Sequence, residues 1–183
     1  EPSIFQKRSI PVIKSGANVY CNAPKESGKT TTLILTTLQK LKCEPVGDAP
    51  RALILVENKE KAVELYEEFL TYIRYNSLRI FVSHDLIHID ILKSEILEGI
   101  DVLISTPTTM NKLLLCNGIT TSQVKILSID DAEFLIKKAA YTSLISITQS
   151  IKKSQYVLYS EKMHPMLKRF ESSFMEYSKT VTA

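Results

Sequence analysis

Short, solid apolar runs recur along the chain, each bounded by polar residues. They are Val19-Tyr20-Cys21, Ala52 to Val56, Leu78 to Ser83, Asp101 to Ser105, Val124 to Ile129 and Gln155 to Ser160. A run apolar on both alternating faces predicts a strand covered on both sides of its sheet. Between the runs, apolar residues return at three-and-four spacing, as in Ala62, Leu65, Tyr66, Phe69, Leu70 and Ile73. That spacing predicts amphipathic helices. Asn58 is placed to cap this one, and Gly99 to close another that emerges from a loop over Asp85 to Glu98. Thr106-Pro107 opens a helix running to about Cys116, with proline in its first turn. Glu133 to about Lys153 reads as mostly helical, and Pro165 to about Phe174 as a last helix. Phe5 to Lys14 reads as a short amphipathic segment interrupted by Pro11. Strands alternating with helices predict an α/β fold: a mainly parallel sheet with helices on both faces, whose ligands bind at the carboxyl ends of the strands.

The first run leads into the stretch with the most chemistry. After Cys21 the chain reads Asn22-Ala23-Pro24-Lys25-Glu26-Ser27-Gly28-Lys29-Thr30 and continues as a helix to Leu41. Strand, tight turn, then Gly-Lys-Thr at a helix start is the core of a phosphate-binding loop. Helix N-terminal amides and the dipole face an anion, Lys29 reaches for phosphate, and the Thr30 hydroxyl can ligate Mg²⁺. Lys25, Ser27, Gly28, Lys29, Thr30 and Thr31 are the nucleotide-binding candidates. Two glycines expected of such loops are missing, replaced by Ala23 and Glu26. Glycine reaches positive φ without steric cost, and Glu26 adds a negative charge beside the phosphate site.

Composition narrows the class without naming a ligand. A chain of 183 residues, 44% hydrophobic and 23% charged, is expected to form one domain with its own core. No apolar run approaches the ~20 residues of a membrane span. The opening Glu1-Pro2-Ser3-Ile4 is not a signal peptide, and the native chain is expected to extend in both directions. Cys21, Cys43 and Cys116 have no metal-ligand spacing and read as reduced thiols, with Cys21 and Cys116 in apolar surroundings. A net charge of +3 does not by itself argue for nucleic acid. Asp85, His88 and Asp90 lack the second ligand cluster that a metal site needs. Tyr66, Phe69, Tyr72 and Tyr75 fall near helical spacing and read as core and rim rather than a base-stacking platform.

The order of motifs carries a resemblance that covers almost the whole chain. Pro2 to Pro11 resembles the Q motif of DEAD-box RNA helicases, and Ala23 to Thr30 their motif I. Glu57 to Ala62 falls where motif Ia falls, and Ser105-Thr106-Pro107 resembles motif Ib. Asp130-Asp131-Ala132-Glu133 stands where Asp-Glu-Ala-Asp should stand, and Tyr159 to Pro165 resembles motif III and its flank. The resemblance implies a RecA-like three-layer fold, residues 1–183 being the first of two helicase core domains. The second domain, with the family's arginine fingers, is not in this sequence.

The resemblance also implies roles. Gln6 reads adenine, or is simply a surface helix residue. Asp130 holds Mg²⁺, or caps the following helix, or does both. Asp131 stands for the catalytic Glu, one methylene short. Lys59, Thr106 and Pro107 face RNA. ATP and Mg²⁺ are the implied cofactors, with binding weakened or lost; RNA, the second RecA-like domain and further proteins are the implied partners. The departures are Glu26 for glycine, Asp131 for Glu, Glu133 for Asp, Thr108-Thr109 for Gly-Arg, Lys59 for arginine and Glu161-Lys162 for Ala-Thr.

They leave three expectations. The first is a helicase-like domain with impaired or lost ATPase, acting as an RNA- or protein-binding scaffold in a larger RNA-processing or RNA-silencing protein. The second is an active ATP-dependent RNA helicase. The third, a small phosphate-loop kinase, explains motif I only. Eroded motifs of this kind occur among the tudor-containing helicase-like proteins of piRNA silencing, which implies a cytoplasmic setting, including ribonucleoprotein granules.

Overall fold

A computed structural model describes residues 1–183. Seven strands form one sheet: β1 (Val19–Asn22), β2 (Ala52–Leu55), β3 (Ile80–Ser83), β4 (Val102–Ser105), β5 (Ile126–Ile129), β6 (Gln155–Ser160) and β7 (Lys179–Thr182). Their order is β3-β4-β2-β5-β6-β1-β7, and every pairing is parallel. The helices are α1 (Ile4–Lys14), α2 (Lys29–Lys40), α3 (Lys59–Tyr72), α4 (Ile89–Leu97), α5 (Pro107–Leu115), α6 (Lys138–Ser150) and the single turn α7 (Pro165–Lys168).

The solid apolar runs are explained by two cores, one on each face. Val19, Cys21, Ile54, Ile104 and Tyr159 point into the layer made with α1, α2 and α3. Tyr20, Leu53, Leu103, Leu127 and Leu158 point into the layer made with α4, α5 and α6. Alternate residues of one strand therefore serve opposite cores, and apolar residues dominate the central strands. The alternation of elements predicted this parallel sheet covered on both faces, and it is the three-layer RecA-like arrangement that the resemblance implies.

Four expectations are corrected at element level. Helix α1 runs unbroken through Pro11; Pro11 and Lys7 both face solvent, so the carbonyl left without a donor meets water. The helix expected from Glu133 is divided. A 3₁₀ turn covers Ala132–Ile136, Lys137 is extended, and α6 starts at Lys138. The expected last helix shrinks to α7 and a 3₁₀ turn over Arg169–Ser172, where fully buried Phe170 ties the chain to the core. Strand β7 was not expected. Its sequence Lys-Thr-Val-Thr buries only Val181, as an edge strand does, so it leaves no apolar run to detect. Cys21 is buried as expected, whereas Cys116 is only half-buried.

Candidate nucleotide site

The strands deliver the candidate residues to one edge. β1 ends at Asn22 and β5 at Ile129, with β6 between them. The loop after β1 and the Asp130-Asp131 pair after β5 thus flank the carboxyl end of β6. The ends of β1 and β6 are tied by Ser160 Oγ donating to Asn22 Oδ1 at 2.7 Å, and by the Ala23 amide donating to the Ser160 carbonyl at 3.0 Å. A cleft of about 1040 Å³ opens here. Of its 15 lining residues only Phe134 and Ile136 are hydrophobic; Lys25, Gly28, Lys29, Thr30, Thr31 and Asp131 are among the rest. Such a lining suits a polyanion better than an apolar ligand.

The loop takes its shape from Gly28, at φ +89°, which begins α2. Glu26 also sits in the left-handed region, at φ +59°. A glycine would hold that conformation without strain; Glu26 holds it at a cost of ~1 kcal/mol. Its side chain is exposed on the cleft rim. Lys29 is almost wholly buried. Its Nζ donates to the carbonyls of Ala23 at 2.6 Å and Pro24 at 2.7 Å, which hold the ammonium across the loop. The Ser27 hydroxyl is buried and unpartnered. α2 carries Thr30, Thr31, Thr32, Thr36 and Thr37, poor helix formers at first sight. Thr32 and Thr36 resolve this by donating to the carbonyls four residues back, at 2.8 and 2.7 Å.

Gln6 joins the loop from α1. Ser3 and Gln6 form a reciprocal capping box: the Gln6 amide donates to Ser3 Oγ at 3.1 Å, and the Ser3 amide to Gln6 Oε1 at 2.9 Å. Ser3 Oγ in turn donates to the Ser27 carbonyl at 2.7 Å. Gln6 Nε2 lies 2.6 Å from where a Cβ on Gly28 would be, so its amide packs directly over the glycine. The Ser-x-x-Gln pattern was readable in the sequence; its link to the phosphate loop was not.

Asp130 is not a helix cap. The residue before the 3₁₀ turn is Asp131, at φ +47°, and no side chain caps the turn. Asp130 Oδ2 instead accepts from Thr30 Oγ1 at 3.4 Å, while Oδ1 is buried without a partner. Burial, then the neighbouring Asp131 charge, push the Asp130 carboxyl up to about 6, against the Thr30 bond and Lys29. A buried carboxylate with an unsatisfied oxygen, beside a threonine hydroxyl and a lysine, fits a divalent cation and a phosphate. Lys29, Thr30 and Asp130 are thus the residues that would hold Mg²⁺-ATP.

Ion pairs that the sequence did not disclose ring the mouth. Lys25 Nζ lies 3.7 Å from Glu161, Lys61 Nζ 3.7 Å from Asp131, and Lys137 Nζ 2.8 Å from Glu57. Glu133 accepts from the Glu161 amide and so joins the ends of β5 and β6. Lysine-carboxylate pairs so distant in sequence give no periodic signal.

The RNA-facing candidates lie outside this cleft. Lys59 opens α3 after Asn58, whose side chain accepts from the Lys61 amide at 3.0 Å, the expected cap. Thr106 is buried as the cap of α5, donating to Thr109 Oγ1 at 3.0 Å, and Pro107 is buried at its first position. Their side chains are occupied in holding the turn. No group of three or more metal-ligating side chains is present, in keeping with His88 acting as the cap of α4. Phe69 is core, while Tyr75 is fully solvent-facing. A second cleft of about 1020 Å³, lined by Asp48, Pro50, Lys93 and Leu97 among others, lies at the opposite strand ends and gathers none of these groups.

The comparisons agree with the geometry. The yeast DEAD-box splicing factor Prp28 superposes on the whole chain with a TM-score of 0.88 at 19% identity, over 45% of its own length. A DEAD box protein from the hyperthermophile Methanococcus jannaschii does so at 0.87 and 19%, over 50% of its length. At these identities the match speaks for the fold. In sequence, the chain is 25% identical over 178 residues to the probable ATP-dependent RNA helicase ddx42 of Dictyostelium discoideum, covering 95% of this chain and 18% of that protein. It is 26% identical over 175 residues to the ATP-dependent RNA helicase eIF4A of Aspergillus clavatus, covering 95% of this chain and 44% of that one. The chain thus spans a fraction of the length of its curated relatives. The DEAD/DEAH box helicase family model matches residues 3–164, and with the Q-motif, phosphate-loop and Asp-Asp-Ala-Glu elements gathered at one sheet edge, the chain belongs to that family as an N-terminal helicase domain.

Proposed function

We propose that this domain is the nucleotide-binding half of a DEAD-box-type core whose ATP turnover is impaired, and that it serves as an RNA-binding scaffold, with protein partners, in a larger RNA-processing protein. The observation that carries the reading is a division within one cleft. The binding set of Lys29, Thr30 and Asp130 is intact and converges. The positions that tune the chemistry have drifted: Glu26 puts a carboxylate on the rim, and Asp131, shorter than the family's Glu, faces Lys61. A base displaced by about 1 Å costs on the order of 100-fold in rate. ATP supplies the binding energy of its phosphates and the bond cleaved in turnover, and Mg²⁺ would neutralise charge between them. The chain's part is to hold the triphosphate with Lys29 and the loop amides, to hold the cation with Thr30 and Asp130, and to place Gln6 beside the loop. A setting in cytoplasmic RNA silencing belongs to the same reading.

The test is calorimetry of Mg²⁺-ATP and Mg²⁺-ADP on the wild-type chain and on Glu26→Gly, with RNA-stimulated turnover measured on the full-length protein. The expected result is weak binding by the wild type, about tenfold tighter binding by Glu26→Gly, and slow turnover. Efficient RNA-stimulated turnover by the full-length protein, abolished by Lys29→Ala, overturns the impaired reading in favour of an active helicase. The intact Lys29-Thr30-Asp130 set is what favours that alternative.

A further inference from the structure

We propose that Lys61 is a terminal-phosphate ligand of this domain, held by Asp131 until a nucleoside triphosphate enters and then drawn to its last phosphate. The inference rests on the reading that the cleft takes a nucleotide. Lys29 and Lys61 approach the cleft from opposite sides. Lys29 comes from the loop after β1, Lys61 from the first turn of α3 after β2, and the Asp130-Asp131 pair after β5 lies between them. The backbone of Lys61 is fixed, since its amide donates to the Asn58 cap at 3.0 Å. Its side chain is not. The ammonium lies 3.7 Å from Asp131 and 3.9 Å from Glu64, and makes no hydrogen bond to either.

The other cations differ. Lys29 is committed to two carbonyls at 2.6 and 2.7 Å, and Lys137 to Glu57 at 2.8 Å. Lys25, although also loosely paired, is 84% exposed and lies on the loop itself, on the same side as Lys29. Lys162, also in the lining, follows β6, the neighbour of β1, and so does not stand opposite Lys29. Lys61, half-exposed with a half-exposed partner, is the lining cation opposite Lys29 that can be recruited at least cost. An ion pair this loose and this exposed contributes little to stability. A polyphosphate carries more charge than one carboxylate and offers geometry for charge-assisted hydrogen bonds that Asp131 does not supply here. A diphosphate ends one phosphate nearer the loop. Lys61 would therefore discriminate triphosphate from diphosphate, and its departure would release Asp131.

The test is calorimetry of the 183-residue chain with Mg²⁺-ADP and with a non-hydrolysable Mg²⁺-ATP analogue, for wild type, Lys61→Gln, Lys61→Arg, Asp131→Asn and Lys29→Ala. Thermal melts of the ligand-free variants run alongside. The expected result is a triphosphate preference in the wild type that falls about tenfold in Lys61→Gln. Lys61→Arg retains it, and Asp131→Asn, which frees the lysine, strengthens triphosphate binding more than diphosphate binding and so widens the preference. Ligand-free melting temperatures of the Lys61 and Asp131 variants should stay within a degree or two of wild type, whereas Lys29→Ala, which strips two loop carbonyls of their donor, melts lower. A Lys61→Gln variant that melts with wild type and keeps the preference, while Lys29→Ala loses binding, overturns the assignment and leaves the nucleotide reading standing. No binding of either nucleotide by the wild type overturns both. A large loss of melting temperature in both Lys61→Gln and Lys61→Arg overturns the assignment in favour of a structural ion pair.

Discussion

Thr30 and Asp130, 100 residues apart in sequence, meet at 3.4 Å across the cleft, and that long bond is the only side-chain partner the Asp130 carboxylate has. Its other oxygen is buried and unpaired. The arrangement costs stability in the absence of a cation. Burial and the Asp131 charge raise this carboxyl to about 6, above its ordinary value near 4. For a raised acid, the stability contribution is fully present below the ordinary value and is lost as pH rises through the folded-state value. At pH 7.5 the folded domain therefore carries the cost of an ionised, under-solvated carboxylate. Asp130→Asn should raise the ligand-free melting temperature at pH 7.5, by about 2 kcal/mol in stability, while the two proteins converge near pH 4. Melts at the two pH values decide it: equal stability at pH 7.5 would mean that the carboxylate is not strained.

Gly28 answers to two demands at once, and Gly28→Ala separates them. Its φ of +89° strains any L side chain, and the added Cβ would meet Gln6 Nε2 at 2.6 Å and Gln6 Cδ at 3.0 Å. The backbone term is ~1 kcal/mol. The contact term falls on a flexible side chain, which can swing away only by leaving its bond with the Ser3 amide. The expected loss is about 1–2 kcal/mol, of which Gln6→Ala in the same chain restores the contact part. Strict additivity of the two substitutions in denaturant unfolding would show that Gln6 and Gly28 do not press on one another.

The far end of the sheet has an electrostatic centre of its own. Asp101 is wholly buried just before β4. It accepts from Arg51 Nη2 at 2.8 Å, from Arg79 Nε at 3.0 Å, and from the Arg79 and Val46 amides at 2.9 and 3.1 Å. Burial alone would raise its carboxyl, but the bonds from Arg79 and Arg51 outweigh it and lower the carboxyl to about 2. The sign here is opposite to that of Asp130. The contribution is present above the ordinary value near 4 and is lost as pH falls toward 2. Asp101→Ala strands two guanidinium groups, Arg51 among the buried ones, and should cost about 3–5 kcal/mol in urea unfolding at pH 7. The deficit relative to wild type should narrow at pH 2–3. A deficit that stays constant down to pH 2 would sink this account.

What could be read from the chain beforehand follows a physical rule. Ala52 to Val56 and Val102 to Ile104 announced central strands because burial on both faces leaves no polar position inside the run to confuse the pattern. Lys179–Thr182 could not, since an edge strand with one buried residue looks like a loop. Thr30 and Asp130 were readable as partners because each stands in a motif that names its role. Lys61 and Lys137 were not: their importance comes from where different strands end, and charged residues at helix starts are common everywhere. Asp130 was read as a Mg²⁺ ligand, a helix cap or both; the cap reading fails, because the left-handed conformation of Asp131 turns the chain before any cap can form.

Glu133 gives a prediction that runs against the family pattern. Read by motif alone, Glu133→Asp is a repair, since the family has Asp at this position. In this chain the longer side chain is what lets Glu133 accept the amide of Glu161, at the end of β6. The Glu161 side chain in turn stands 3.7 Å from Lys25 on the phosphate loop, so two carboxylates in series join three strand ends. Shortening it by one methylene should break the amide bond without supplying a new partner. Glu161 is not the small residue that the family places there. The expected effect is a loss of about 0.5–1.5 kcal/mol, the net worth of one hydrogen bond. For a domain of this size that is a fall in melting temperature of a few degrees. The double substitution Glu133→Asp with Glu161→Ala should be no more stable than Glu133→Asp alone, because the bond is made by the Glu161 backbone and not by its side chain. A Glu133→Asp chain that melts above the wild type would mean that the motif's ancestral geometry survives here, and that the Glu133 contact is incidental.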